Sequence, residues 1–421
     1  MTVLEAVRAT RDRVLVLPTW ALLVGVFVVS RLVTAAIVQT AAVCCQNPAG
    51  VADLHPGYED MVGLWDGAWY RRIVESGYPI PLPVDGDTGE VTFSAWAFYP
   101  LFPYAVRALT ASGLSFDAAA QLLNLPLALL AVLLAWRLFS ARADVLTRPS
   151  DSTLYQRMAV LAAGVWCFYP ATAVLQIAYS EAVATCLLAG FLLALIHRRY
   201  WLAVLLVVLL GFARAVAPPL GVVVLVHLVV RMREERRLGL PLLHGDRVVA
   251  PALLLATGIS AVAWPVLVGL VSGDPRAFFT IQAKWGQEPG KGPFVAWLTW
   301  AWDQMGIVGV LVLLALVVAY IALATGRHGR WLAVELRTWA LAYPLFLLAV
   351  TRPITSMWRF LLLDFPLAAI LVSIVVRGAE AGGVEPTWPR RLGVAVVGLV
   401  GGMAAWTVVL LTYTPWFDGP P

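Results

Sequence analysis

Apolar runs of about 20 residues recur along this chain, each bounded by charged or turn-forming positions, and that pattern predicts helices crossing a bilayer. The first run covers 14–39, and further runs cover 117–140, 157–178, 180–196, 200–213, 215–230, 248–271, 304–325, 333–350, 358–377 and 392–413. The runs at 200–213 and 215–230 are short at about 1.5 Å of rise per residue. Pro218-Pro219 interrupts the second of them, and broken helices are tolerated where they line a cavity inside the protein. The count is about eleven spans, with ten to thirteen compatible with the pattern. The predicted fold class is an all-α polytopic membrane protein, a single integral membrane domain over 1–421.

Polar stretches divide the spans unevenly. Residues 40–112 form a long first loop, in which Leu64, Trp65, Ala68, Trp69 and Ile73 recur at helical spacing within 64–76. That spacing predicts a short amphipathic helix lying on the membrane surface. Residues 98–112 carry two prolines and Arg107, so an interfacial or re-entrant helix fits better than a full span. A second large loop covers 272–303 and contributes Lys284, Trp285, Gln287, Glu288 and Lys291. Asp85-Gly86-Asp87 has the form of a metal-holding carboxylate pair, but its Gly and Pro neighbours predict a turn.

Composition agrees with the pattern. Of 421 residues, 61% are hydrophobic, only 13% are charged and 18 are Trp, which leaves no room for a separate soluble domain. The net charge of +5 is modest, but its distribution is informative. With the N-terminus in the cytoplasm, 20 of the 30 basic residues fall in the N-terminal segment and in 137–157, 198–199, 231–247, 327–337 and 377–391. All of these lie on the cytoplasmic side, as the positive-inside rule requires. Counting 98–112 as a span would invert every later loop. Arg8, Arg11 and Arg13 precede the first run, which reads as a retained signal anchor. Four Cys make no disulfide scaffold: Cys44 and Cys45 are read as two loop thiols, although a loop facing outward would let them oxidise.

This topology gathers candidate chemistry at the outer face. Asp66 stands between Trp65 and Trp69 in Trp65-Asp66-Gly67-Ala68-Trp69-Tyr70, where indoles suit a sugar ring and a partly desolvated carboxylate suits proton abstraction. Tyr179-Ser180-Glu181, Arg214, Arg352 and Arg359 fall at outer turns. Charged groups at bilayer depth cost on the order of 2.5–3.5 kcal/mol, so they mark sites or buried pairs. Plainer roles compete: indoles anchored among headgroups, arginines reaching lipid phosphates, a structural Glu181–Arg214 pair, and Asp364 neutralising Arg359 one turn away. A carboxylate facing cations at a lipid interface suits transfer from a lipid phosphate, the cations holding the departing phosphate while the carboxylate deprotonates an acceptor hydroxyl. No nucleotide-binding glycine loop is present, which fits a lipid-linked donor. No ligand cluster stands out for a divalent metal, and its need stays open.

The stretch from Trp65 to Tyr78, Phe98-Tyr99-Pro100-Leu101-Phe102-Pro103, Tyr169-Pro170 through Tyr179-Ser180-Glu181, Gly211 to Arg214 and Trp358-Arg359-Phe360 together resemble the PIG-V type mannosyltransferases, of the GT-C glycosyltransferase fold. The resemblance spans about residues 60–365. It implies a polyprenyl-phosphate-mannose donor, inversion at the anomeric carbon and a catalytic carboxylate that maps to Asp66. Trp65, Trp69, Tyr70, Tyr99, Tyr179, Ser180, Glu181, Arg214, Arg352 and Arg359 are the expected substrate-binding residues. Ala215-Val216 replace the polar pair that follows the family's arginine, which leaves the acceptor and the sugar undetermined. The expected partners are the bilayer, the lipid donor and a glycolipid or cell-envelope glycan acceptor, with no nucleic acid. The expected location is a bacterial plasma membrane with the site outside. Two rival classes remain, a lipid-linked-sugar transporter and a non-catalytic assembly subunit. The first predicts pseudo-symmetric halves and midplane ionisable groups, and the sequence displays neither.

Overall fold

The computed structural model describes residues 18–47, 56–142, 149–243, 245–285, 292–377 and 386–413. Arg8, Arg11, Arg13, Asp53, Gln287, Glu288 and Lys291 lie outside the described residues. The elements in chain order are α1 (Thr19–Cys45), α2 (Tyr58–Val62), α3 (Asp66–Ser76), α4 (Leu101–Thr110), α5 (Phe116–Ser140), α6 (Pro149–Trp166), α7 (Glu181–Ile196), α8 (Tyr200–Gly211), α9 (Ala217–Arg237), α10 (Val249–Ser272), α11 (Ala277–Lys284), α12 (Val295–Thr325), α13 (Val334–Val350), α14 (Met357–Phe360), α15 (Pro366–Arg377) and α16 (Trp388–Trp406). A π-helical turn, Thr407–Leu411, extends α16. The only β-pairing among the described residues is an isolated bridge, Val84 to Val91.

Among the described residues, five helices are long and apolar enough to cross a membrane: α1, α5, α10, α12 and α16 with its extension. A sixth is possible if the bent pair of Met357–Leu363 and Pro366–Arg377 counts as one span. The protein is therefore all-helical and multi-pass. α3 and α4 are short helices that fall within the two first-loop stretches, 64–76 and 98–112, where the sequence predicts them.

Several boundaries correct the sequence reading, and proline accounts for most of them. The 157–178 span ends at Trp166, because Pro170 cannot donate into a continuing helix, and a 3-10 turn at Pro170–Leu175 follows. The 358–377 span breaks by 82° ahead of Pro366. Pro218-Pro219 do not interrupt a helix; they occupy the first turn of α9, where no intrahelical partner is lost. The loop at 272–303 is partly helical, containing α11 and the start of α12, which kinks at Met305 and Gly306. Cys44 and Cys45 form the last turn of α1, not a loop, and are bonded to each other.

The two irregular stretches, 167–180 and 351–365, pass through the packed interior, so their freed carbonyls need buried donors. Arg31 of α1 supplies two, donating to Thr172 O at 2.7 Å and Cys167 O at 3.0 Å. Asn124 of α5 donates to Ile177 O at 2.6 Å and Tyr179 O at 2.9 Å. Trp339 Nε1 donates to Leu363 O and the Tyr343 hydroxyl to Phe360 O, each at 2.9 Å. These donors fix the two segments that carry Tyr179-Ser180-Glu181 and Trp358-Arg359-Phe360.

Candidate active site

The chain reverses sharply just before α3. Trp65 has φ 55° and ψ −113°, a conformation that favours glycine, so backbone strain sits beside Asp66. Two contacts hold Trp65 there: its ring stacks on Tyr413 with centroids 4.0 Å apart, and Nε1 donates to Leu411 O at 2.8 Å. At Gly67 a Cβ would lie 3.2 Å from Val62 O and 3.5 Å from the Ala178 side chain. That close approach seats the start of α3 against the segment leading to Ser180.

Asp66 is thereby aimed at Arg359 of α14, and Arg359 Nη1 donates to Asp66 Oδ2. Only 14% of the Asp66 side chain and 6% of the Arg359 side chain are exposed, so solvent screens the pair weakly. Beneath them Glu181 is fully buried at the first turn of α7, where the helix N-terminus favours its charge. Its Oε1 lies 2.7 Å from Arg214 Nη1 and 3.3 Å from Arg359 Nε. Neither approach has hydrogen-bond alignment, so the attraction is mainly Coulombic. Two carboxylates and two guanidiniums thus form a charge-balanced quartet.

Hydroxyls brace the quartet. The Tyr70 hydroxyl donates to Ser180 Oγ at 2.9 Å, and Arg214 Nη1 donates to the same oxygen at 3.3 Å. Burial, with the Asp66 carboxylate adding to it, raises the Tyr70 hydroxyl well above its ordinary value. Tyr70 is therefore a permanent proton donor at neutral pH. The Phe360 ring lies between the arginines, 5.0 Å from Arg214 Cζ and 5.4 Å from Arg359 Cζ.

A cavity of about 980 Å³ opens over this group. Its walls differ in chemistry. Arg214, Arg352, Arg359, Ser180 and Ser356 make a cationic, hydroxyl-bearing side, while Phe346, Leu347, Val350 and Ile354 make an apolar one. A third side is aromatic: Trp285 meets Trp69 edge-on at 5.5 Å, Phe98 at 5.4 Å and Phe93 at 4.8 Å. Arg72 Cζ lies 4.8 Å over Trp69. Gln282 and Lys284 of α11 complete this side, Lys284 Nζ contacting Glu90 at 2.8 Å.

Of the residues expected from sequence, Trp65, Asp66, Trp69, Tyr70, Tyr99, Ser180, Arg214, Arg352 and Arg359 all line this cavity. Tyr179 and Glu181 do not reach its wall. Tyr179 lies behind it with Arg359 Cζ 5.0 Å over its ring, and Glu181 sits below as the arginines' counter-charge. The suspected Glu181–Arg214 pair exists. Asp364 does not neutralise Arg359; it accepts a hydrogen bond from the Tyr320 hydroxyl. Asp85 forms the expected turn, Oδ1 accepting from Asp87 N at 3.0 Å and Thr88 N at 2.8 Å, and the Thr88 bonds hold its carboxyl below the usual range. Among the described residues no three His, Cys, Asp or Glu side chains converge as a metal site. Sequence reasoning did not single out Phe93, Gln282, Tyr343, Phe346, Ser356 or Tyr413; they are single apolar or polar residues far apart in the chain and carry no local signal.

No protein-family model matches the chain, and no curated protein matches it by sequence. Among solved structures it is similar to ArnT from Cupriavidus metallidurans bound to undecaprenyl phosphate, at 13% identity over 91% of this chain and 76% of that one, with a TM-score of 0.48. It is also similar to the Archaeoglobus fulgidus oligosaccharyltransferase tethered with an acceptor peptide. That likeness has 13% identity and a TM-score of 0.48, and covers 95% of this chain but only 56% of the archaeal protein.

Proposed function

We propose that this protein is a GT-C type inverting mannosyltransferase, moving mannose from polyprenyl-phosphate-mannose to a glycolipid or cell-envelope glycan. The reaction takes place at the extracytoplasmic face of a bacterial plasma membrane. One observation carries the proposal: a carboxylate, Asp66, and the cations Arg214, Arg352 and Arg359 share a single cavity that also has an apolar side.

In this reading the donor's phosphate sits against Arg359, Arg352 and Arg214, and the start of its prenyl chain runs along Phe346, Leu347 and Val350. The sugar lies over Asp66 and against Trp69. Asp66 takes the proton of the acceptor hydroxyl as that oxygen attacks the anomeric carbon from the face opposite the phosphate. The carbon–oxygen bond to phosphate breaks, and polyprenyl phosphate leaves with the bonding electrons and with its growing charge facing the guanidiniums. A single displacement of this kind inverts the anomeric centre.

The quartet adds a timing element. Arg359 Nη1 donates to the Asp66 carboxylate. A donor phosphate competes for the same guanidinium, so its arrival frees the base for the acceptor.

Membranes bearing the protein test the proposal with radiolabelled mannosyl-phosphoprenol and GDP-mannose supplied separately. The expected result is transfer to an endogenous acceptor from the lipid donor alone. Transfer from the nucleotide with the lipid donor inert would overturn it.

A further inference from the structure

At the end of the bundle away from this cavity, a groove of about 260 Å³ runs between α6, α15 and α16. Leu154, Met158 and Leu161 recur at i, i+4 and i+7 along α6 and line one wall. Val376 of α15 and Trp388 of α16 face them. The strip is about 10 Å long at 1.5 Å per residue, long enough for the upper part of an acyl chain. Its distance from the cavity follows from α16. The groove holds Trp388 at the start of that helix, and Leu411, at the end of its π-helical extension, accepts the Trp65 indole beside the cavity. Those 23 steps span roughly 35 Å, about one bilayer, so cavity and groove open to opposite leaflets.

One cation lines the groove and a second ends the helix that lines it. Arg157 is exposed among the groove residues of α6, and Arg377 follows Val376 at the end of α15. The Arg377 guanidinium lies 5.1 Å over the Tyr155 ring, and its buried Nε has no hydrogen-bond partner. Neither arginine forms an ion pair among the described residues. The nearby turn after α12 adds further positive charge, with Arg142 donating to the Arg330 carbonyl. The one acid of α13, Glu335, lies 2.6 Å from His227. An apolar slot beside arginines that have no ion-pair partner among the described residues, with a Trp at a helix start, complements one kind of molecule, a lipid with a negative headgroup.

We propose that this groove binds one anionic diacyl phospholipid from the leaflet opposite the candidate active site. Its phosphate rests on Arg157 and Arg377, and one acyl chain lies along Leu154, Met158 and Leu161. The proposal is independent of the glycosyltransfer reading, because it concerns another face of the bundle.

Native mass spectrometry of the full chain, released from nanodiscs with equal phosphatidylglycerol and phosphatidylcholine of matched chain length, tests it. Wild type is expected to retain one phosphatidylglycerol with at least about tenfold preference, the weight of two arginines at an anionic surface. Arg157→Gln with Arg377→Gln should abolish the preference, and the double lysine variant should keep most of it. Leu161→Trp, which fills the groove and leaves both charges, should lower retention of either lipid. Equal retention of the two lipids by wild type, or undiminished phosphatidylglycerol retention by the double glutamine or the Leu161→Trp protein, would overturn the proposal.

Discussion

Arg359 reaches across 293 positions of sequence to hold the carboxylate of Asp66, the first residue of the short helix α3. The pair joins the first loop to a broken helix late in the chain, and it lies open to a cavity instead of being sealed in a core. A cation shared between a fixed carboxylate and an incoming phosphate is the basis of the proposed chemistry.

Arg359→Ala is expected to lower transfer about 10²- to 10³-fold, the scale on which removing one stabiliser of a developing negative charge acts. It should also raise the KM for the lipid donor. Initial rates in membranes at varied donor concentration check both, and an unchanged donor KM would remove Arg359 from the phosphate site.

Glu181→Gln leaves Arg214 and Arg359 facing each other without their buried counter-charge. Removing one partner of a buried ion pair costs about 3–5 kcal/mol. A clear fall in the detergent-solubilised protein's Tm is expected, together with lost activity. Equal Tm for variant and wild type would mean that Glu181 is not the charge that seats the arginines.

Tyr70→Phe removes a single hydrogen bond to Ser180, worth about 1 kcal/mol, so activity should fall by less than about tenfold. Because burial raises this hydroxyl above its ordinary 10.0, it stays protonated across the working range. The pH–rate profiles of variant and wild type should therefore run parallel up to about pH 9. A basic limb present in wild type and absent in the variant would contradict this.

Gly67→Ala places a methyl group 3.2 Å from Val62 O, one residue from the proposed base. The start of α3 must shift by a few tenths of an ångström. Turnover is expected to drop about tenfold or more with the protein still folded, since misplacement of 1 Å in a site costs on the order of 10². Wild-type rates would show that the contact is readily relaxed.

The candidate site was legible where chemistry and local spacing coincide. The stretch from Trp65 to Tyr70 announces an amphipathic helix carrying an acid, and Tyr179-Ser180-Glu181 and Trp358-Arg359-Phe360 place charges where apolar spans should be. The arginine bias allowed these separated turns to be assigned to one side before any contact was seen. Depth was not legible. Glu181 and Tyr179 fall behind the wall because Pro170 ends α6 early and carries the chain inward, a tertiary consequence that residue spacing does not encode. The aromatic wall was missed for a similar reason. Trp285, Phe93 and Phe98 meet only because α11 folds back over the first loop, and isolated aromatics in an apolar sequence look alike. Span boundaries failed at prolines whose freed carbonyls find distant donors such as Arg31 and Asn124.

The most direct measurement compares wild type with Asp66→Asn for mannosyl transfer from the lipid donor, in parallel with donor binding to the purified proteins. The account predicts that transfer falls about 10²- to 10⁴-fold, the contribution of a positioned base, while donor binding persists or tightens as Arg359 is released. Transfer by Asp66→Asn at the wild-type rate would contradict it.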